Sequence, residues 1–277
     1  MIEEVFRLGP LSITPFGLSL VAALGVAYWQ LTHGLRREGL GDEDEAGTIV
    51  FACGLIGIAG GKVYYSLLML SKGEGFWDHF LSRAGIVWYG CFIAGLLAFL
   101  WIVRRLDLPL ARTFDAAAPG LALGYSVGRI GCFLVGDDYG VPTDLPWGVA
   151  FKVGLPPTTA GVLRREYGID VPQSVSDGSF VAVHPTQLYE TLAAFVIFLV
   201  AIRLHRRWRE TERPAGGVMM AVIALLSVER FLVEFIRAKD DRILAGYTVA
   251  QGISVLVLLV LAVMTWQRRR KAVGETP

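Results

Sequence analysis

Charge is what this chain has least of. Of its 277 residues only 18% are Asp, Glu, Lys or Arg, against 54% hydrophobic ones, and mean hydropathy is +0.52. That balance excludes an ordinary soluble domain of this size. The net charge of +1 gives no basis for a nucleic-acid partner. Cysteine is scarce too: Cys53, Cys91 and Cys132 all lie inside apolar runs, and no pair has metal-ligand spacing. A disulfide framework and a zinc site are therefore not supported, and no metal or other cofactor is expected. The first eleven residues hold Glu3, Glu4 and one Arg7. They lack the basic start of a secretory signal, and no small-residue cleavage site follows, so the first apolar run reads as a retained membrane helix. Internal repeats and paired broken helices are also missing, which counts against a transporter.

What the chain does have is apolar length. A bilayer-spanning helix needs about 20 mostly apolar residues. Seven stretches qualify, at about Ile13–Leu31, Thr48–Leu70, Gly85–Val103, Phe114–Val135, Thr186–Leu204, Gly217–Ile236 and Thr248–Trp266. The expectation is an all-α polytopic membrane protein with seven transmembrane helices. Arginines follow the odd-numbered stretches: Arg36 and Arg37; Arg104, Arg105 and Arg112; Arg203 to Arg213; Arg268 to Lys271. The positive-inside rule then places the N-terminus outside and the C-terminus in the cytoplasm. The polar segments 71–84, 136–183 and 238–246 fall on the outer face. The longest of them, 136–183, is expected to form a small extracytoplasmic head with strand or irregular structure, within a single membrane domain spanning 1–277.

Three groups of charge stand near the outer ends of these helices. The first is Arg129 with Asp137 and Asp138. The second is His184-Pro-Thr-Gln-Leu-Tyr-Glu190, where Pro185 suits a first helical position and Gln187 and Glu190 share a face. The third is Arg230, Glu234 and Arg237, whose spacings of four and three put them on one face. An arginine at membrane depth costs several kcal/mol unless something pairs with it. These charges either pair among themselves or form a cationic pocket for a phosphate headgroup, which the guanidinium fork fits bidentately. Glu190 and Glu234 are expected to face Arg129, and Arg230 and Arg237 to share its anion. Gly120, Gly124 and Gly128, then Gly131, form a stripe that permits close helix approach or makes room for lipid. Asp115 is expected at the cytoplasmic interface in a solvated or capping role.

Gly128-Arg-Ile-Gly-Cys-Phe-Leu-Val-Gly-Asp-Asp-Tyr-Gly140 resembles the signature of the bacterial prolipoprotein diacylglyceryl transferases. His184-Pro-Thr-Gln-Leu-Tyr-Glu190 and Arg230-Phe-Leu-Val-Glu-Phe-Ile-Arg237 are similar to two further blocks of that family, in the same order. The resemblance implies transfer of the diacylglyceryl group of phosphatidylglycerol to the lipobox cysteine thiol of a prolipoprotein, in the bacterial inner membrane, with glycerol 1-phosphate released. It implies Arg129 and Arg230 as the groups that polarise the phosphate. Arg237, Glu234, Gln187, Glu190 and Gly140 would complete the substrate-binding set. Several positions depart from the family's pattern. Cys132 and Val135 stand for asparagines, Asp137 for a glutamate, Leu226 for a tyrosine and Phe16 for another. Tyr89-Gly90-Cys91-Phe92 stands for a His-Gly-Gly-Leu block, so Tyr89 replaces a histidine proposed as the base. A phenol is a poor base at neutral pH, and His184 or Asp137 could take the role. Cys132, three residues from Arg129, is a bystander, a stand-in for asparagine or an acceptor. Two alternatives remain open beside the transferase: a phospholipid-binding protein without catalysis, and a paralogue modifying a different acceptor.

Overall fold

The computed structural model describes residues 6–8, 11–82, 85–239, 242–244 and 246–274. Glu3, Glu4, Arg83, Ala84, Asp240, Asp241 and Ala245, which belong to segments read above, lie outside them. The long helices are α1 (Pro15–Glu38), α2 (Glu43–Leu70), α4 (Trp88–Arg105), α5 (Leu110–Val135), α7 (Thr186–Glu210), α8 (Gly217–Val233) and α9 (Val249–Gly274). Short helices α3 (Phe76–Phe80) and α6 (Ala160–Tyr167) lie in the connections. Two small antiparallel hairpins, β1 (Phe6–Leu8) with β2 (Leu11–Ile13) and β3 (Arg242–Leu244) with β4 (Tyr247–Thr248), are the only named strands among the described residues. Six helices are long and apolar enough to cross a membrane: α1, α2, α4, α5, α7 and α9. The chain is a multi-pass membrane protein. α8 ends at Val233, three residues before the expected Ile236. Its 17 residues reach about 25 Å at about 1.5 Å each, short of a hydrocarbon core of about 30 Å.

The helices overrun the apolar stretches that announced them. α1 continues from Leu31 to Glu38 and α7 from Leu204 to Glu210. Arginine and glutamate are good helix formers in water, so leaving the apolar zone does not end a helix. Caps do: Gly39 closes α1 in the left-handed conformation at φ +65°. At the start of α2, Asp42 Oδ1 accepts from Asp44 N at 3.0 Å and Glu45 Oε2 accepts from Asp42 N at 2.9 Å.

α5 is the central helix. On one side it meets α1, where a Cβ on Gly120 or Gly124 would lie 3.2 Å from Ala27 O or 3.4 Å from Ala23 O, and one on Gly131 would lie 2.6 Å from Ser19 Cβ. The glycine stripe is thus a packing seam against α1, except that Gly128 faces open space. On the other side Ala118 and Ala122 pack with Ile197, Phe198 and Ala201 of α7 and Val218, Met219 and Val222 of α8. The second glycine seam joins α2 to α4, where Gly60 opposes Gly90 and Gly61 makes room for Cys91 Sγ. Cys91 is a packing residue. Asp115 is buried rather than solvated, and caps a helix other than its own: its Oδ2 accepts from Gly216 N at 2.6 Å and its Oδ1 from Met219 N at 2.9 Å. Asp115→Ala should lower stability by about 1–3 kcal/mol by orphaning these two N–H groups. Thermal unfolding in detergent measures it; a wild-type midpoint would show that the start of α8 finds other acceptors.

Candidate functional site

Residues 136–185 fold back over the ends of α5, α7 and α8. Their contacts are local bridges, Pro142↔Val183, Val149↔Val183 and Thr159↔Phe180, around a small core of Tyr139, Phe151, Ala160, Leu163, Val171 and Val183. One bridge, Gly140↔Arg237, fastens this segment to the chain leaving α8. Gly140 N donates to His184 O at 2.8 Å, Val141 N to Ile236 O at 2.9 Å and Ala238 N to Tyr139 O at 3.1 Å. A Cβ at Gly140 would lie 2.5 Å from Ile236 O and 2.7 Å from His184 Cβ, so only glycine fits. Gly140→Ala must push the 236–238 segment away, at about 1–3 kcal/mol. Because Arg237 rides on that segment, activity should fall more than stability does. Equal losses in paired thermal and turnover measurements would contradict this.

The three charged groups of the sequence meet at one place. Glu190, on the first turns of α7, is fully buried and sits at its centre. Its Oε2 accepts from Arg129 of α5, and its Oε1 accepts from Arg230 Nη1 and Arg237 Nη1, each at 3.3 Å, and from Tyr125 Oη at 3.2 Å. Asp138 bridges two of the arginines, accepting from Arg129 Nη1 at 3.0 Å and from Arg237 Nη2. Glu234 pairs with Arg230 at 2.8 Å and Arg237 at 3.8 Å, and not with Arg129. Three guanidiniums thus face three carboxylates. Only Arg230 keeps appreciable access to solvent, its side chain 26% exposed against 9% for Arg129 and 3% for Arg237.

The turn after α5 aims the aspartates. Gly136 closes the helix in the left-handed conformation and Asp138 itself has φ +58°. Thr186 Oγ1 donates to Asp138 O at 2.8 Å, and Gln187 Nε2 to Asp137 O at 2.5 Å. Gln187 therefore positions the turn from inside the protein. Burial would raise the Asp138 carboxyl, but the Arg237 and Arg129 guanidiniums outweigh it and hold the group well below the usual carboxylate range. Burial, with the Asp138 charge beside it, pushes the Asp137 carboxyl up. Cys132 Sγ and one oxygen each of Asp137 and Asp138 lie within 4.8 Å of one another. Arg129 and Arg237 already engage both Asp138 oxygens, so a cation there would meet two guanidiniums; the donor set disfavours a metal.

The blocks at 128–140, 184–190 and 230–237 that build this ring lie within a stretch of the chain that matches known proteins. The family model described as prolipoprotein diacylglyceryl transferase matches residues 3–267. The chain belongs to this family. A phosphatidylglycerol–prolipoprotein diacylglyceryl transferase of Geobacter sulfurreducens is 30% identical over 279 residues, which cover 97% of this chain and 96% of that relative. One from Paenarthrobacter aurescens is 30% identical, covering 98% of this chain and 83% of the relative, and one from Proteus mirabilis is 27% identical, covering 99% and 94%.

The positions that depart from the diacylglyceryl transferase pattern separate in space. Cys132 is in the ring, its Sγ 3.3 Å from Arg129 Nη1. Leu226 packs in the apolar cluster of α5, α7 and α8. Tyr89 is 42% exposed on α4 with its ring against Trp88, and among the described residues it makes no hydrogen bond to the arginines. His184 turns its Nδ1 to Tyr189 Oη at 3.2 Å, which in turn accepts from Trp147 Nε1 at 2.8 Å. Neither joins the ring directly. Asp138, grouped with Arg129 by sequence, does join it, and so do two residues outside the three charged groups: Tyr125, and Glu229, whose Oε1 is buried without a hydrogen-bond partner among the described residues. Tyr125 stands four residues before Arg129, the spacing that puts both on one face.

Proposed function

We propose that this chain is a phosphatidylglycerol–prolipoprotein diacylglyceryl transferase. The thiol sulfur of a lipobox cysteine attacks the glyceryl carbon of phosphatidylglycerol, the carbon–oxygen bond to phosphate breaks, and glycerol 1-phosphate leaves. The observation that carries this reading is the ring of Arg129, Arg230 and Arg237 around the buried Glu190 in a chain of this family. Phosphate goes from a diester monoanion to a monoester dianion as the bond breaks, so guanidiniums fixed beside it favour the transition state over the bound lipid. Arg230, the accessible member, presents its fork to the headgroup; Arg129 and Arg237 supply the field behind it. Glu190 and Glu234 hold the arginines apart and compensate them while no lipid is bound. Asp137 and His184 line the approach to the ring, and Tyr89 faces lipid or the acceptor peptide.

The site then opens at the outer face of the inner membrane. Seven crossings with the N-terminus outside and the C-terminus in the cytoplasm agree with the arginines after α1, α4, α7 and α9; α8 would be the short seventh crossing, shielded by α5, α7 and α9. Residues 136–183 would form the extracytoplasmic head. The direct test mixes purified protein with phosphatidylglycerol and a lipobox peptide and measures thioether product by mass. Product in wild type and none in Arg129→Ala is expected. No product from wild type, with lipid binding that Arg129→Ala abolishes, would replace the enzyme by a phospholipid-binding protein.

A further inference from the structure

One ionisable group at the ring takes no part in the pairings described. Glu229 precedes Arg230 near the end of α8. Its Oε1 is buried and has no hydrogen-bond partner among the described residues. The groups within electrostatic reach of it are Glu190 from α7, Arg230 beside it, Arg129 and Tyr125 from α5 and Arg237 from the segment after α8. α9 also packs on α8, but its arginines lie at the far end, where Arg268 Nη1 donates to Ala215 O at 3.1 Å.

Glu229 is not needed to balance the ring. Arg129, Arg230 and Arg237 are already matched by Glu190, Glu234 and Asp138. An ionised Glu229 is surplus negative charge where an anionic headgroup must bind, and an apolar residue would fill the space without desolvating a carboxylate. A group that gains a proton during the reaction removes this conflict. Of the other candidates for that task, Tyr89 is on α4 and His184 bonds Tyr189; Asp137, whose Oδ1 is also buried without a partner among the described residues, sits beside Cys132 at the end of α5 and is the competing base in the test below.

We propose that Glu229 is the proton acceptor for the substrate thiol. This rests on the transferase function proposed above. The S–H bond breaks, its proton goes to a Glu229 carboxylate oxygen, and its electron pair forms the new sulfur–carbon bond. The carbon–oxygen bond to phosphate breaks, and its pair stays on glycerol 1-phosphate. Before the step the site holds a carboxylate, a phosphodiester monoanion and a neutral thiol. After it the site holds a carboxylic acid, a monoester dianion and a thioether. Net charge is unchanged, so the arginine ring gains at phosphate what it loses at Glu229 and no charge is created in the low-dielectric interior.

The test compares wild type, Glu229→Gln, Glu229→Asp and Asp137→Asn with phosphatidylglycerol and a lipobox peptide across pH. Glu229→Gln is expected to bind lipid as wild type does and to turn over roughly 10²–10⁴-fold more slowly near neutral pH. The acidic limb of the wild-type profile should be replaced by a rise toward about pH 8.5, where a free thiol ionises. A selenocysteine peptide, whose selenol is ionised at neutral pH, should restore much of the lost rate. Glu229→Asp should keep the acidic limb at reduced rate. Wild-type rate and profile in Glu229→Gln, or loss of the limb in Asp137→Asn instead, would overturn the assignment. If Glu229→Gln does not fold, Glu229→Asp and the wild type decide: an acidic limb in wild type that persists unchanged with the selenocysteine peptide excludes a thiol base. No product from wild type at all would sink the transferase reading and this assignment with it, whereas product from wild type with an unchanged Glu229→Gln sinks this assignment alone.

Discussion

Glu190→Gln should destabilise the protein by about 3–5 kcal/mol and abolish turnover, the cost of leaving buried charge uncompensated. The side chain is fully buried and accepts from Arg129, Arg230, Arg237 and Tyr125. Glutamine keeps the shape but halves the acceptors, and its NH2 group must point at guanidinium donors. Asp138 still pairs with Arg129 and Arg237, and Glu234 with Arg230 and Arg237, but neither reaches all three arginines as Glu190 does. Arg129→Gln should reverse part of the loss when combined with Glu190→Gln, because the two act as a pair. Unfolding midpoints of the single and double variants in detergent measure that coupling. A Glu190→Gln protein as stable as wild type would mean that the arginines are compensated elsewhere.

Much of this site was legible before any coordinates. An arginine within an apolar run demands a partner whatever the fold, and helical spacing grouped Arg230, Glu234 and Arg237; the grouping holds, but Arg237 joins from the segment after α8 and not from a helical face. Which partner was not legible. Glu190 lies 61 positions from Arg129, and only the packing of α5 on α7 brings them together. The adjacent Asp137 and Asp138 look alike in sequence. The left-handed backbone at Asp138 sends one carboxylate into the ring and leaves the other beside Cys132. Gly140 was read as a substrate contact because it keeps the family's pattern; its place against Ile236 O adds a backbone reason that the sequence does not show. The helices were found where apolar runs announced them, but their ends were set by caps and by water-soluble helix formers, to which hydropathy is blind. α8 stops at Val233, and the chain leaves the helix to carry Arg237 back to Glu190.

Arg230→Lys separates binding of the phosphate from support of the fold. Arg230 pairs with Glu190 and Glu234 but remains the most exposed of the three arginines. Lysine at that position keeps a cation beside both glutamates, so stability should change by less than about 1 kcal/mol. It cannot present two parallel donors to phosphate oxygens, and its strongly hydrated ammonium loses more on leaving water. Turnover should therefore fall by about 10²–10³-fold, the range for removing one preorganised donor at a developing charge. The loss belongs in the chemical step rather than in lipid affinity, since the fork matters most when the phosphate carries its second charge. Arg237→Lys is the contrast. Arg237 spans Asp138, Glu190 and Glu234 at 3% exposure, and no ammonium reaches all three at once. That variant should lose stability as well as turnover. Single-turnover rates at saturating phosphatidylglycerol, set beside unfolding midpoints, distinguish the two; identical behaviour of both variants would remove the special role of Arg230.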